Sequence, residues 1–108
     1  AMGGEAIAVS VDVTNAESVK TAHEEVLAKL GPCDILINGA GGNNPRATTD
    51  KEYFETGDID ADTKSFFDLD ADGVGFVFNL NFLGTLIPTQ AFARQMVGSR
   101  VLQQLQYP

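Results

Sequence analysis

The sequence predicts an α/β fold: a βαβ unit with an incomplete parallel sheet, followed by a long helix. Three observations predict it. Two short, nearly continuous apolar runs, Ala6–Val11 and Ile35–Ile37, flank one amphipathic stretch and read as strands buried on both faces. The joints between them are short, and that order forces parallel strands and a right-handed crossover. A long apolar segment from about Val74 to Val97 lies beyond a polar excursion.

In chain order, Ala6-Ile-Ala-Val-Ser-Val11 ends at Asp12 and gives the first strand. Thr14-Asn-Ala-Glu17 has the spacing of a capping box, in which the Thr hydroxyl and the Glu carboxylate each accept from the other's backbone N–H. Val19, His23, Val26 and Leu30 then recur on one helical face, and Gly31-Pro32 stops the helix. Asp34 leads into the second strand. From Gly39 to about Asp72 the composition turns to Gly, Asn, Thr and acids. Tyr53, Phe54, Phe66 and Phe67 are expected to pin this excursion to the body, with helical turns near Asp50–Phe54 and Thr63–Leu69, because long structureless loops are uncommon in compact domains. The 74–97 segment reads as a mostly buried helix, with Gly84 and Pro88 marking close packing or a bend.

At 108 residues and 44% hydrophobic content the chain can build one core, with little to spare. A formal charge of −8 with only seven scattered Lys and Arg opposes nucleic-acid and anionic-membrane partners. No apolar run reaches the roughly 18 to 20 residues needed to span a bilayer. Cys33 is the single cysteine, so no internal disulfide framework can form; it reads as a small buried residue. With no signal-like start, a cytoplasmic setting is expected. His23 has no second ligand at metal spacing, and no metal site is expected.

Asp12-Val13-Thr14, Asn38-Gly-Ala-Gly41 and Asn81-Phe-Leu-Gly84-Thr85, in this order, resemble the middle of a short-chain dehydrogenase/reductase. The resemblance covers about residues 3–98, which are taken as a partial Rossmann-like domain, and 99–108 as a tail unlike the family. It implies an NAD(P)-dependent oxidoreductase. Asp12 and Val13 would then meet the adenine edge, Asn38, Ala40 and Gly41 would line the cofactor, and Asn81 would be the catalytic Asn of a proton relay, a role that requires a local distortion of its helix. The continuation Gly42-Asn43-Asn44-Pro45 is similar to members acting on the sugar acids fructuronate or mannonate.

The sequence also departs from the family. Gly39 stands where the family has a second Asn. No glycine-rich phosphate turn precedes the first strand, and Gly39–Asn44 lacks the third Gly of such a turn. Tyr107 has no Lys four residues on. The resemblance therefore implies NAD or NADP as the cofactor but not tight binding by this chain, and catalysis by the chain alone is expected to be absent. In the family's strand order the two strands retained here are not neighbours, so association with itself, as a homodimer or larger, is expected to cover the open edges.

Two other readings stay open. One is a non-enzymatic interaction module. The other is a calcium-binding acidic module built on Asp68-Leu-Asp70-Ala-Asp72-Gly73, whose first half matches a calcium loop and whose twelfth position is Asn79 instead of Glu.

Overall fold

The computed structural model describes residues 3–104, with side chains described through residue 98. Helix α1 spans Ala16–Leu30, α2 spans Ala71–Phe78 and α3 spans Gly84–Gln104; a π-helical turn, Asn79–Leu83, joins the last two. Three short 3-10 turns, Pro45–Ala47, Thr56–Ile59 and Phe66–Asp68, punctuate the excursion. The predicted tail, 99–108, lies outside the described side chains.

The cap of α1 falls one residue later than the sequence pattern suggests. Asn15 is the N-cap, its Oδ1 accepting from the Ser18 N–H at 3.0 Å. Thr14 instead donates to the Asp12 carboxylate from both its hydroxyl and its amide. A side chain bonding two residues back competes with capping and wins here. At the other end Gly31 adopts φ 82°, a left-handed conformation suited to glycine, and its N–H reaches the Leu27 carbonyl at 3.1 Å. The inward face of α1 buries Val19 and Ala22 against α3, and His23 lies edge-on to Phe92 with ring centroids 4.6 Å apart. Burying one side chain such as Val19 stabilises this contact by about 1.5–3 kcal/mol.

The predicted parallel sheet is not formed: among the described residues neither apolar run pairs with the other, and no strand ladder exists. Sheet order accounts for this: by the resemblance the two runs are the third and fourth strands of a doubly wound sheet, where the first and second would lie between them. Side chains nevertheless alternate as a strand's do. Ile7 and Val9 turn inward while Ala6, Ala8 and Ser10 face out; Leu36 turns inward while Ile35 and Ile37 are 80% and 86% exposed. Each run therefore rests one face on the helices and leaves its other face and both edges open.

The second run is tied to α3 by side chains in place of a neighbouring strand. The Cys33 N–H donates to Gln95 Oε1 at 3.1 Å, and Asn38 Nδ2 donates to Thr89 Oγ1 at 3.0 Å. Cys33 is half-buried.

The helix expected over 74–97 starts earlier, is interrupted by the π turn, and is more exposed than its composition suggests. Phe76, Phe78 and Phe82 are 51%, 66% and 66% exposed, while Gly84 and Pro88 are buried at its close contacts. The excursion is likewise pinned differently from expectation. Tyr53, Phe66 and Phe67 are exposed, and Phe54, Phe66 and Phe67 stack on one another edge to face. Polar ties hold it: Arg46 pairs with Asp70, the N-cap of α2, and the Asp70 N–H reaches the Arg46 carbonyl at 3.0 Å. Gly73 admits this strap, because a Cβ there would lie 2.6 Å from Arg46 Cβ. One helical turn forms within Thr63–Leu69 as expected; the one expected at Asp50–Phe54 forms instead at Thr56–Ile59, where buried Asp58 accepts from the Glu55 N–H and from Lys51 Nζ.

The chain is open. Its radius of gyration is 20.6 Å, against about 13 Å for a compact domain of this length. Its accessible surface is 8446 Å², against about 5,800 Å² for a folded monomer of this mass.

Candidate functional site

The site is built where the ends of both extended runs meet the π turn. A π turn inserts one residue into the helical ladder and frees carbonyls and side chains from their regular register. Asn81 sits at its centre. Its Nδ2 donates to the Gly42 carbonyl at 2.7 Å and to the Val77 carbonyl at 2.8 Å, while its Oδ1 accepts from the Gly42 N–H at 3.1 Å. The carboxamide thus staples Gly42 as a neighbouring strand would, by both its N–H and its C=O. Gly41 must lack a side chain for this to happen, since a Cβ there would lie 2.8 Å from Asn81 Oδ1.

The Asn81 carbonyl accepts from Thr85 Oγ1 at 3.3 Å, the Thr85 carbonyl accepts from Thr89 Oγ1 at 2.6 Å, and Thr89 accepts from Asn38. One hydroxyl ladder along α3 therefore joins Asn38 to Asn81. Thr89 was not singled out by the sequence pattern, and Thr85 only as the end of the Asn81–Thr85 motif with no role of its own, although their spacing of four and eight residues from Asn81 places all three on one helical face.

On the other side of the π turn, Val13 packs against Gly84: a Cβ at Gly84 would stand 2.9 Å from Val13 Cγ2. Beside this contact a cleft of about 410 Å³ is lined by Asp12, Thr14, Phe76, Asn79, Leu80 and Leu83. The Asp12 carboxyl is held below its ordinary range, first by the Thr14 hydroxyl and then by the Thr14 N–H, so it faces the cleft mouth as an ionised acceptor. Leu80 links the two sides. It lines the Asp12 cleft, and its Cδ2 lies 3.4 Å from where a Gly42 Cβ would be.

The sequence-predicted residues therefore fall into two groups around one turn: Asp12 and Val13 on one side, Gly41 and Asn81 on the other, with Asn38 tied in through Thr89. Ala40 is exposed between the ties. Gly39–Asn44 opens only a three-residue 3-10 turn, Pro45–Ala47, with no α-helix behind it. Helix α2 offers no anion site either, since its first turn carries Asp70 and Asp72. Two of the three carboxylates of the calcium-loop pattern are engaged locally: Asp68 accepts from Ser65 N–H and Oγ, and Asp70 from Arg46 and the Asp72 N–H, while Asp72 is exposed. No group of three or more His, Cys, Asp or Glu gathers around a common point among the described residues.

The family model described as short chain dehydrogenase matches residues 1–101. The chain belongs to the short-chain dehydrogenase family. An uncharacterised oxidoreductase of Haemophilus influenzae is 51% identical over 98 residues, covering 91% of this chain and 34% of the relative. An uncharacterised oxidoreductase of Bacillus subtilis, UxuB, is 42% identical over 97 residues, covering 90% and 34%.

Among solved structures, a Haemophilus influenzae protein provisionally named a D-mannonate oxidoreductase, with bound NAD, matches at a TM-score of 0.80 and 52% identity, covering 87% of this chain and 33% of that one. A short-chain dehydrogenase from Streptomyces avermitilis matches at 0.61 and 25%. The chain thus spans about a third of the length of the curated relatives it matches. The resemblance to mannonate oxidoreductase-like members of the short-chain dehydrogenases stands, and two extended runs without a sheet between them are consistent with a partial Rossmann-like domain. No helix among the described residues is long and apolar enough to cross a membrane.

Proposed function

We propose that these residues are the central, cofactor-lining segment of a cytoplasmic NAD(P)-dependent oxidoreductase acting on a sugar acid, and that the segment does not catalyse alone. The observation that carries the reading is the π turn at Asn81, which gathers the ends of both extended runs around one point. Asp12 and Val13 form the adenine edge: an ionised acceptor beside apolar walls suits a flat base bearing an exocyclic N–H2. Asn38, Ala40 and Gly41 lie along the cofactor's path, with Asn38 positioned by Thr89. Asn81 fixes Gly42 and holds its own carbonyl at the head of the Thr85–Thr89 ladder.

NAD(P) bound there would exchange a hydride with the substrate. The pyrophosphate end has no cradle in these residues, for the reasons of sequence and helix charge already given, and the 108 residues contain no Tyr-x-x-x-Lys to trade the alcohol proton. Adenosine alone is expected to shift the backbone amide resonances of Asp12, Val13 and Leu80 in a ¹H–¹⁵N titration. Unmoved resonances at these residues, with saturating adenosine, would remove the basis for the assignment.

A second reading concerns assembly. The accessible surface exceeds that of a compact monomer by about 2,600 Å², and interfaces of obligate complexes bury about 2,000–5,000 Å². We infer that the isolated chain self-associates as a homodimer or larger through the faces carrying Ile35, Ile37, Phe78 and Phe82. Sedimentation velocity is expected to give a dimer or larger for the chain, and a shift toward monomer for Phe78→Glu/Phe82→Glu. A monodisperse monomer at about 1 mM would contradict it.

A further inference from the structure

The excursion between Asn43 and Asp70 holds three cations, and two of them are already neutralised. Arg46 pairs with Asp70 and lies 3.9 Å from Asp72. Lys51 pairs with Glu55 at 2.8 Å and with Asp58 at 3.0 Å. Lys64 differs. Among the described residues its ammonium forms no ion pair with a carboxylate, and its one hydrogen bond is to the backbone carbonyl of Pro45, at 2.7 Å. Asp50, though nearby, is turned to the Lys64 backbone N–H, at 2.7 Å.

A cleft of about 390 Å³ has Lys64 in its wall together with Asn43, Asn44, Pro45, Thr48, Thr49 and Asp50. The Asp50 carboxylate in this wall is engaged by the Lys64 backbone N–H, and the Thr48 and Thr49 hydroxyls donate to the Asn44 and Lys51 carbonyls and so remain acceptors. An ammonium without an ion pair among amides and accepting hydroxyls suits a polyhydroxylated carboxylate, the ammonium taking the acid and the short polar side chains meeting the hydroxyls. The volume falls in the range of small-molecule sites. The place also fits, because Asn43 directly follows Gly42, the residue stapled by Asn81. In a chain of net charge −8, an anionic ligand needs one such local exception.

We propose that Lys64, with Asn43, Asn44, Thr48 and Thr49, forms the subsite that recognises the carboxylate end of the sugar-acid substrate, so that the excursion sets specificity. The proposal rests on the sugar-acid reading given above and assigns to Lys64 a binding role in it. Lys64 needs two of its three ammonium donors for the carboxylate and keeps the third on Pro45, so the strap does not have to move to bind.

The test is a ¹H–¹⁵N titration of the 108-residue chain with D-mannonate and, separately, with D-mannitol, which has the hydroxyls without the acid. D-mannonate is expected to shift the amides of Asn43, Asn44, Thr48, Thr49 and Lys64, and D-mannitol to bind there at least about tenfold more weakly, the loss expected of one charge-assisted hydrogen-bonded contact. Lys64→Gln keeps a donor for the Pro45 carbonyl while removing the charge, and should lose D-mannonate by a similar factor with its other resonances in place; Lys64→Arg should retain binding. Equal binding of D-mannonate and D-mannitol, undiminished D-mannonate binding by Lys64→Gln, or shifts confined to residues elsewhere would each overturn the proposal. Failure here is separable from failure of the cofactor assignment, because adenosine reports on Asp12, Val13 and Leu80, away from this cleft.

Discussion

Replacing Asn81 by Ala is expected to release the turn at Gly41–Gly42 and to cost about 1–2 kcal/mol of stability, since three hydrogen bonds from one carboxamide disappear and their partners can be only partly satisfied by water. The larger effect should be local. Hydrogen exchange at the Gly42 amide should accelerate strongly while exchange within α1 stays near its original rate, because no Asn81 bond reaches that helix. Asn81→Asp is the sharper variant. It preserves size and can still accept from the Gly42 N–H, but it turns an anionic oxygen toward the carbonyls of Gly42 and Val77, where a donor is required. Asp should therefore be no better than Ala, and a melt showing Asp close to the original chain would mean that the two carbonyl contacts carry little of the anchoring.

Gly84→Ala is the second substitution with a large expected effect, and its sign is informative. In an ordinary helix the change would stabilise by up to about 1 kcal/mol. Here the new methyl would stand 2.9 Å from Val13 Cγ2, and β-branched Val has little rotamer freedom with which to yield. Overpacking of this kind costs about 1–3 kcal/mol, so a net loss of about 1–2 kcal/mol is expected, with the 6–13 run loosened from the helices. Val13→Ala should undo the clash: the Gly84→Ala/Val13→Ala pair should be more stable than the sum of the two single changes, by about 1 kcal/mol or more. Strict additivity in chemical denaturation would show that the two segments do not meet.

Much of the helical scaffold was legible in the chain because its signals are local. The periodic Val19–His23–Val26–Leu30 face and the Gly31-Pro32 stop depend on residues within a few positions of each other, and the helix formed where they placed it. The distortion expected around Asn81 is present as the π turn, and the close approach expected at Gly84 is the contact with Val13.

The misses have a common physical origin. Composition marked Ala6–Val11 and Ile35–Ile37 as strands buried on both faces; the described residues form no strand and leave one face of each run exposed, and only the alternation of inward and outward side chains remains of that reading. A ladder, however, depends on neighbours, and these residues do not include the strands that would lie between the two. The aromatic residues of the excursion were expected to pin it because burial is what large apolar groups usually do. In the fold, ion pairs and backbone ties such as Arg46 with Asp70 hold the strap, and the rings stack on one another in solvent. The Asn38–Thr89–Thr85–Asn81 ladder was missed because hydroxyls on a helix carry no pattern until the facing residue is known.

We propose that these residues hold the base edge and the Asn81 end of a dinucleotide site without a grip on the phosphates between them. Calorimetric titration of the chain with adenosine and with NADH tests it most directly, because the two ligands share the base and differ in the pyrophosphate. If no backbone N–H nest receives the anion, NADH should bind within about threefold of adenosine, both weakly, and added phosphate should not compete. Micromolar NADH binding, about a hundredfold or more tighter than adenosine, would show that this chain grips the pyrophosphate after all and would contradict the claim.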